Sequence, residues 1–533
     1  MDNVAMNDAS SSQLNHLGLV PARTGKLQAV AVGLVAALAG AKLLIHLLLS
    51  NRYGYFRDEL YFLDCGRHLS WGYVDHAPMI GLVSRMALLL GGSLPALRMF
   101  PAIAGALLVA LTMLITRQLG GDRFAQGLAG LAVLLVPGYL AVDSILTMNA
   151  FEPLFWMGCV YVLIRIIQTE NSRFWIWFGV LAGLGLMNKH STAFFGVAVV
   201  MGLILTEHRR EFIKPWIWLG GAIATLIFLP NLVWQILHHF PTLEDLHNVR
   251  VTGKNIVLPP LQFILQQFVI MHPVLSLLWI AGLWHFLLGR GSRYRVLAWI
   301  FLALFLMMLA LHGKDYYVIP IYPMLFAGGA VAVEGALGRW RFTHGKFWPR
   351  ALLVGVVMVT GAVLAPLMLP LLSPDHYVAY MRKIGLKPIK REVHEHGQLP
   401  QIFGDQMGWA ELVGQVAQVY NSLPAEERVQ TAILTGNYGE AGAIDMFGPK
   451  YGLPAALSGH QTYFYWGTHG FAGRNLITLQ YGLDDLSEMC ASVQPVGLHF
   501  ETWGMEEENQ PIYFCRGLKR PLADRWPEHK HWN

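Results

Sequence analysis

Runs of roughly 17 to 25 mainly apolar residues recur along the first 372 positions, each able to cross about 30 Å of hydrocarbon as a helix rising 1.5 Å per residue. The runs fall near 27–49, 79–91, 96–117, 124–142, 147–167, 174–188, 191–206, 215–236, 263–287, 296–311, 317–335 and 350–372, with 79–91 short and at most partly inserted. They predict a polytopic α-helical membrane protein of about 11 transmembrane helices. Composition agrees: of 533 residues 54% are hydrophobic and 14% charged, with a mean hydropathy of +0.42. The net charge of +5 does not point to nucleic acid, because the basic residues sit in short loops between apolar runs, where they orient the chain.

Keeping 79–91 on the outer surface makes the loops alternate consistently. Arg117 and Arg123, Arg165 and Arg173, Arg209, Arg210 and Lys214, Arg290, Arg293 and Arg295, and Arg339, Arg341, Lys346 and Arg350 then share the cytoplasmic side. Residues 1–26 form a polar cytoplasmic tail, and the first run, too long for a signal-peptide core, stays as an anchor. The expected organisation is a membrane domain over 27–372 with an outer loop at 50–95, and an extracytoplasmic soluble α/β domain over 373–533. The expected setting is a bacterial inner membrane. In the soluble domain, Arg428–Thr435 reads as a buried strand entering the glycine-punctuated turn Gly436-Asn-Tyr-Gly439-Glu-Ala-Gly442, whose spacing favours a structural turn over a phosphate site. Cys490 and Cys515 fall in the same domain, where an oxidising compartment permits a bridge; spacing alone does not fix it.

Acids and aromatics concentrate in the outer loops. The first contains Arg57-Asp58-Glu59, then Asp64, Trp71, Tyr73 and Asp75. Leu60, Phe62, Leu63 and Leu69 approximate helical spacing, so this stretch is expected to lie on the bilayer surface with Trp71 and Tyr73 at headgroup depth. Asp58 and Glu59 then open a helix whose dipole favours the carboxylate form, suited to a general base and equally to an N-cap. Asn149 and Glu152 share a helix face, and an acid there without a nearby basic residue calls for a polar surrounding; Asp143 reads as a cap. Lys189 with His190, and Lys314 with Tyr316 and Tyr317, form two tight outer turns; these lysines would snorkel or hold a lipid-linked phosphate. The loop at 237–262 carries His238, His239, Glu244, Asp245, His247 and Arg250 without zinc-site spacing, and reads as a mobile cover over substrate.

Four stretches in this order resemble the membrane glycosyltransferases related to the protein O-mannosyltransferases and lipid A aminoarabinose transferase: Asp58-Glu59, Leu69-Ser-Trp71-Gly-Tyr73-Val-Asp75-His-Ala-Pro78, Gly183-Leu-Gly185-Leu-Met-Asn-Lys189, and Lys314-Asp-Tyr-Tyr-Val-Ile-Pro320-Ile-Tyr322-Pro323. The resemblance covers roughly residues 27–335. It implies a C-type glycosyltransferase fold and an inverting transfer from a polyprenyl-phosphate sugar to a lipid, glycan or protein acceptor outside the cytoplasm. It further implies Asp58 as catalytic base with Glu59 shaping the site, and Lys189, His190, Lys314, Tyr316 and Tyr317 around the donor phosphate. Arg57, Asp75, Asn149 and Arg250 are expected around the acceptor pocket. Many relatives carry an acid at the position of Asn149, so Glu152, one turn later, is expected to take over its task. No cofactor is required by this chemistry, and participation of a divalent cation stays open. The competing readings are a transporter, which would place ionisable residues near the midplane and show paired halves, and an anchored glycan-binding module, which would leave the acidic loop unexplained. Neither sugar nor acceptor is legible.

Overall fold

The computed structural model describes residues 29–339, 346–387, 390, 392–393 and 397–533. The expected cytoplasmic tail at 1–26 and Arg341 lie outside the described residues. Among the described residues seven helices are long and apolar enough to cross a membrane: Val32–Leu49, Leu94–Gln118, Met148–Thr169, Pro215–Leu237, Ser292–Ala310, Asp315–Arg339 and Trp348–Leu367. Two bent pairs raise the number to as many as nine. The expected number was about 11, and the difference has local causes. The run at 263–287 breaks at His272, with φ +68°, and the helices Pro260–Ile270 and Pro273–Leu287 meet at 106°. A residue before proline is disfavoured in the α region, so Pro273 starts a new helix and does not continue the old one. The run at 124–142 likewise divides at Val136, before Pro137.

Close helix packing uses glycine. Gly282 and Gly329 let Pro273–Leu287 approach Tyr322–Arg339 so closely that a Cβ on either would strike backbone of the other helix, at Leu325 and Leu278. Charge is not confined to one surface. Lys42, in the first span, is buried and ion-paired with Asp143 at 2.8 Å, so Asp143, the C-cap residue of helix Pro137–Val142, also serves as the lysine's counter-charge.

The C-terminal region carries a five-stranded sheet of order β2-β1-β3-β5-β4, with β1 Thr431–Thr435, β2 Ala456–Ser458, β3 Asn475–Leu479, β4 Cys490–Leu498 and β5 Pro511–Leu518. The first three strands pair in parallel and the last two antiparallel. The strand predicted from Arg428 starts at Thr431, because Ala425–Val429 closes a helical turn that leaves Val429 exposed. After β1 the glycine turn is closed internally. Asn437 caps helix Tyr438–Phe447 by accepting from the Gly439 and Glu440 N–H groups at 2.8 and 2.9 Å, and the Glu440 carboxylate accepts from the Gly436 and Asn437 N–H groups. Cys490 and Cys515 are disulfide-bonded, their Cα atoms 5.7 Å apart.

Helix Arg57–Arg67 is the hinge between these parts. Its Leu60, Phe62 and Leu63 share one apolar core with Leu412, Val413, Ile433, Ile444 and Phe514 of the C-terminal region. Gly442 of helix Tyr438–Phe447 lies directly on the Leu60 backbone. The helix therefore buries its apolar face in protein and not at the bilayer surface. Of the two aromatics expected at headgroup depth, Trp71 is exposed, whereas Tyr73 is fully buried and donates to the Cys65 carbonyl at 2.8 Å.

Candidate active site

Asp58 and Glu59 are neighbours in the first turn of helix Arg57–Arg67 and meet different surroundings. Glu59 is fully buried. Its oxygens take both prongs of the Arg98 guanidinium, at 3.0 and 2.8 Å, and accept the N–H groups of Phe56 and Leu146 at 2.9 and 2.8 Å. With its lone pairs filled, Glu59 ties the loop to helix Leu94–Gln118 and to the segment before Met148. Asp58 is only partly buried and accepts a hydrogen bond from the Tyr438 hydroxyl at 2.8 Å. Arg57 beside it pairs with Glu507 at 2.7 Å and Asp405 at 3.5 Å, and its guanidinium lies 5.8 Å from the Tyr438 ring. The soluble domain thus reaches the first loop's acids directly, a contact that nothing in the linear sequence announces.

Asp75 joins this group through Tyr61, whose hydroxyl donates to Asp75 Oδ1 at 2.8 Å. Burial pushes the Asp75 carboxyl up to about 7, with the nearby Asp58 charge adding to the rise and Lys254 opposing it. Asp245, from helix Pro241–Val251, accepts from Gln461 at 2.9 Å and is raised to about 6, by burial first and then by Asp75. Lys254 is close enough to act on Asp75, Asp245 and Glu392 together. Tyr61 and Tyr438 pack with ring centroids 4.9 Å apart, so the hydroxyl partners of Asp75 and Asp58 touch each other.

A second cluster is assembled from helix Met148–Thr169, the turn after helix Trp175–Asn188 and the start of the helical stretch Asp315–Arg339. Lys189 Nζ lies 3.1 Å from Glu152, 2.7 Å from the Asn149 side-chain oxygen Oδ1 and 4.7 Å from the Tyr317 ring centroid. Glu152 also accepts from the Ser191 hydroxyl. The acid that lacked a basic partner in sequence has one in space, 37 residues away. Lys314 pairs with Glu392 at 2.9 Å and is close enough to interact electrostatically with Tyr316 and Tyr317, so Lys189 and Lys314 flank one tyrosine pair. His190 meets Asn231 at 2.9 Å, and Asn231 donates to the Trp71 carbonyl at 2.8 Å, which anchors the first loop to helix Pro215–Leu237. Burial lowers the His190 imidazole below its ordinary value.

Arg250 is exposed at the end of helix Pro241–Val251 and is not drawn into either cluster by a hydrogen bond or ion pair among the described residues. The expected cover at 237–262 contains this helix, which is fastened to the C-terminal region by Asp245 to Gln461, Asn248 to the Trp532 carbonyl and Lys530 to Glu244. Sequence reasoning passed over Arg98, Tyr438 and Lys254. Lys254 had a signal, being a lone lysine in an outer loop already marked by its acids; Tyr438 stood inside the glycine turn, where backbone chemistry drew the attention. Among the described residues no three His, Cys, Asp or Glu side chains converge as metal ligands.

Residues 75–234 match the family described as dolichyl-phosphate-mannose-protein mannosyltransferase. A curated relative, the lipid A galacturonosyltransferase RgtD of Rhizobium johnstonii, is 24% identical over 254 residues, covering 46% of this chain and 53% of the relative. The match thus spans about half of each chain. In three dimensions the chain superposes on ArnT of Cupriavidus metallidurans, solved bound to undecaprenyl phosphate and in the apo state, with TM-scores of 0.58 and 0.57. Both superpositions cover 91% of this chain and 98% of ArnT at 13% identity, a likeness of fold: the C-type fold of membrane glycosyltransferases, with a small C-terminal sheet domain.

Proposed function

We propose that this chain is one of the protein O-mannosyltransferase- and ArnT-like membrane glycosyltransferases and moves a sugar from a polyprenyl-phosphate donor to a lipid, glycan or protein acceptor at the outer face of the bacterial inner membrane. The observation that carries the reading is the contrast within the acid pair: Glu59 is saturated by Arg98, while Asp58, partly open, keeps capacity beyond its one hydrogen bond to Tyr438. Asp58 takes the proton of the acceptor hydroxyl or amine. The acceptor atom forms its bond to the anomeric carbon as the carbon–oxygen bond to phosphate breaks, and the polyprenyl phosphate departs with the electron pair. A single displacement inverts the anomeric centre. Lys189 and Lys314, flanking Tyr316 and Tyr317, offset the charge growing on the leaving phosphate. Glu152 and Asn149 hold Lys189 in place, Glu59 holds the loop, and Arg57 and Asp75 border the acceptor side. The basic loops face the cytoplasm and the C-terminal domain the opposite side, by the distribution of arginine.

Reconstituted protein given a labelled polyprenyl-phosphate sugar is expected to pass label to an acceptor fraction of membrane extract, with inverted configuration at the sugar carbon. Export or uptake of the intact lipid-linked sugar without cleavage of its phosphate bond would instead identify a transporter.

A further inference from the structure

We propose a second binding site, for the phosphate of an anionic glycerophospholipid headgroup, in a cavity of about 450 Å³ at the opposite membrane surface from the candidate active site. Helices Thr192–Ile204 and Arg295–Ala310 pack against each other, and Gly202 allows contact with Val296 and Ile300. At one end of these helices lie His190 and Lys314; at the other, beyond Leu205 and before Arg295, the chains diverge and the cavity opens. Helices of 13 and 16 residues are about 20 and 24 Å long, so the two ends are separated by most of a hydrocarbon layer.

The lining is cationic. His208, Arg209, Arg293 and Arg295 surround the space, with Glu207 as the opposing charge and Leu205 and Val296 as its apolar wall. Elsewhere on this face Arg173 lies over Trp216 at 5.4 Å, Arg350 over Phe124 at 5.1 Å, and Lys214 bonds Glu211 and Ser172. In the cavity Arg293 and Arg295 each give an N–H to a backbone carbonyl, of Ile167 and Leu287, and retain other donors. The Arg209 guanidinium makes no hydrogen bond or ion pair among the described residues, and the residue is exposed. Orienting the protein by positive charge needs no recess in the surface; three guanidinium groups lining one partly open cavity suit a phosphate diester. A lipid, and not a soluble anion, follows from the adjoining surface. Val197, Val200, Met201 and Ile204 are exposed along one stripe of the helix that ends at the cavity, where acyl chains would lie.

The test is native mass spectrometry of the full chain from phosphatidylcholine nanodiscs titrated with phosphatidylglycerol. Wild type is expected to retain phosphatidylglycerol. The variant Arg209→Gln/Arg293→Gln/Arg295→Gln should bind it at least about tenfold more weakly, and Arg209→Gln alone, which breaks no internal bond, about fivefold. Arg165→Gln/Arg173→Gln, on the same face outside the cavity, should stay within about twofold of wild type. Equal losses in both sets would mean only a diffuse positive field, and no preference over phosphatidylcholine would remove the site. Displacement of the lipid by millimolar inorganic phosphate would assign the cavity to a soluble anion and overturn the lipid assignment.

Discussion

Adjacent carboxylates diverge when one turn of helix aims them at different neighbours, and Asp58 and Glu59 show how far this goes. Glu59 is matched to Arg98 inside protein. Glu59→Ala strands that guanidinium without a counter-charge and is expected to destabilise the fold by about 3–5 kcal/mol, read as a lowered Tm and a poor yield of monodisperse protein. Asp58 has its hydroxyl partner 380 residues away in sequence. Tyr438→Phe deletes that hydrogen bond and leaves the ring in place, so kcat is expected to fall up to about tenfold with Tm little changed, measured on the same preparation. An unchanged kcat would mean that the domain touches Asp58 without positioning it. The acids were legible in sequence because clustered charge beside an apolar run is a local signal; Tyr438 and Arg98 were not, because each pairing is created only by tertiary folding.

Helix Arg57–Arg67 is the element that couples the membrane part to the soluble part, and it carries a buried titrating contact. Asp64 bonds Arg67 and the Tyr463 hydroxyl, which also reaches Asp445 at 3.1 Å. Burial first, then the Asp445 charge, raises the Asp64 carboxyl to about 7. The folded form therefore keeps a proton that the unfolded chain gives up nearer 4, and stability must fall as pH rises through the window from about 4 to 7. Thermal melts between pH 5 and 8 are expected to show Tm dropping with pH in wild type and dropping less in Asp64→Asn, which has no proton to lose. The same element misled the reading from sequence. Leu60, Phe62 and Leu63 announced an apolar face, but periodicity does not say whether lipid or protein covers it. The bend at His272 was hidden similarly: an unbroken apolar run looks like one span, and Pro273 was the available warning.

For the whole molecule, membrane helices and sheet domain are joined by a common apolar core and by ion pairs at Arg57 and between Glu244 and Lys530. A chain ending at Ser373 would uncover Leu60, Phe62 and Leu63, and is expected to aggregate or elute as a polydisperse species in size-exclusion chromatography. A monodisperse, stable membrane fragment would show that the two parts fold independently. The membrane class and the soluble α/β tail were readable from hydropathy and composition, since both are summed over many residues. The joining of the tail to the first loop was not, because it rests on a few side chains of ordinary type. The central claim is that Asp58 removes the acceptor proton in glycosyl transfer. Initial rates with a labelled polyprenyl-phosphate sugar, compared for wild type and Asp58→Asn at equal amounts of folded protein, test it most directly. The account predicts a loss in kcat of at least about a hundredfold with Tm preserved; a variant within about twofold of wild type would contradict it.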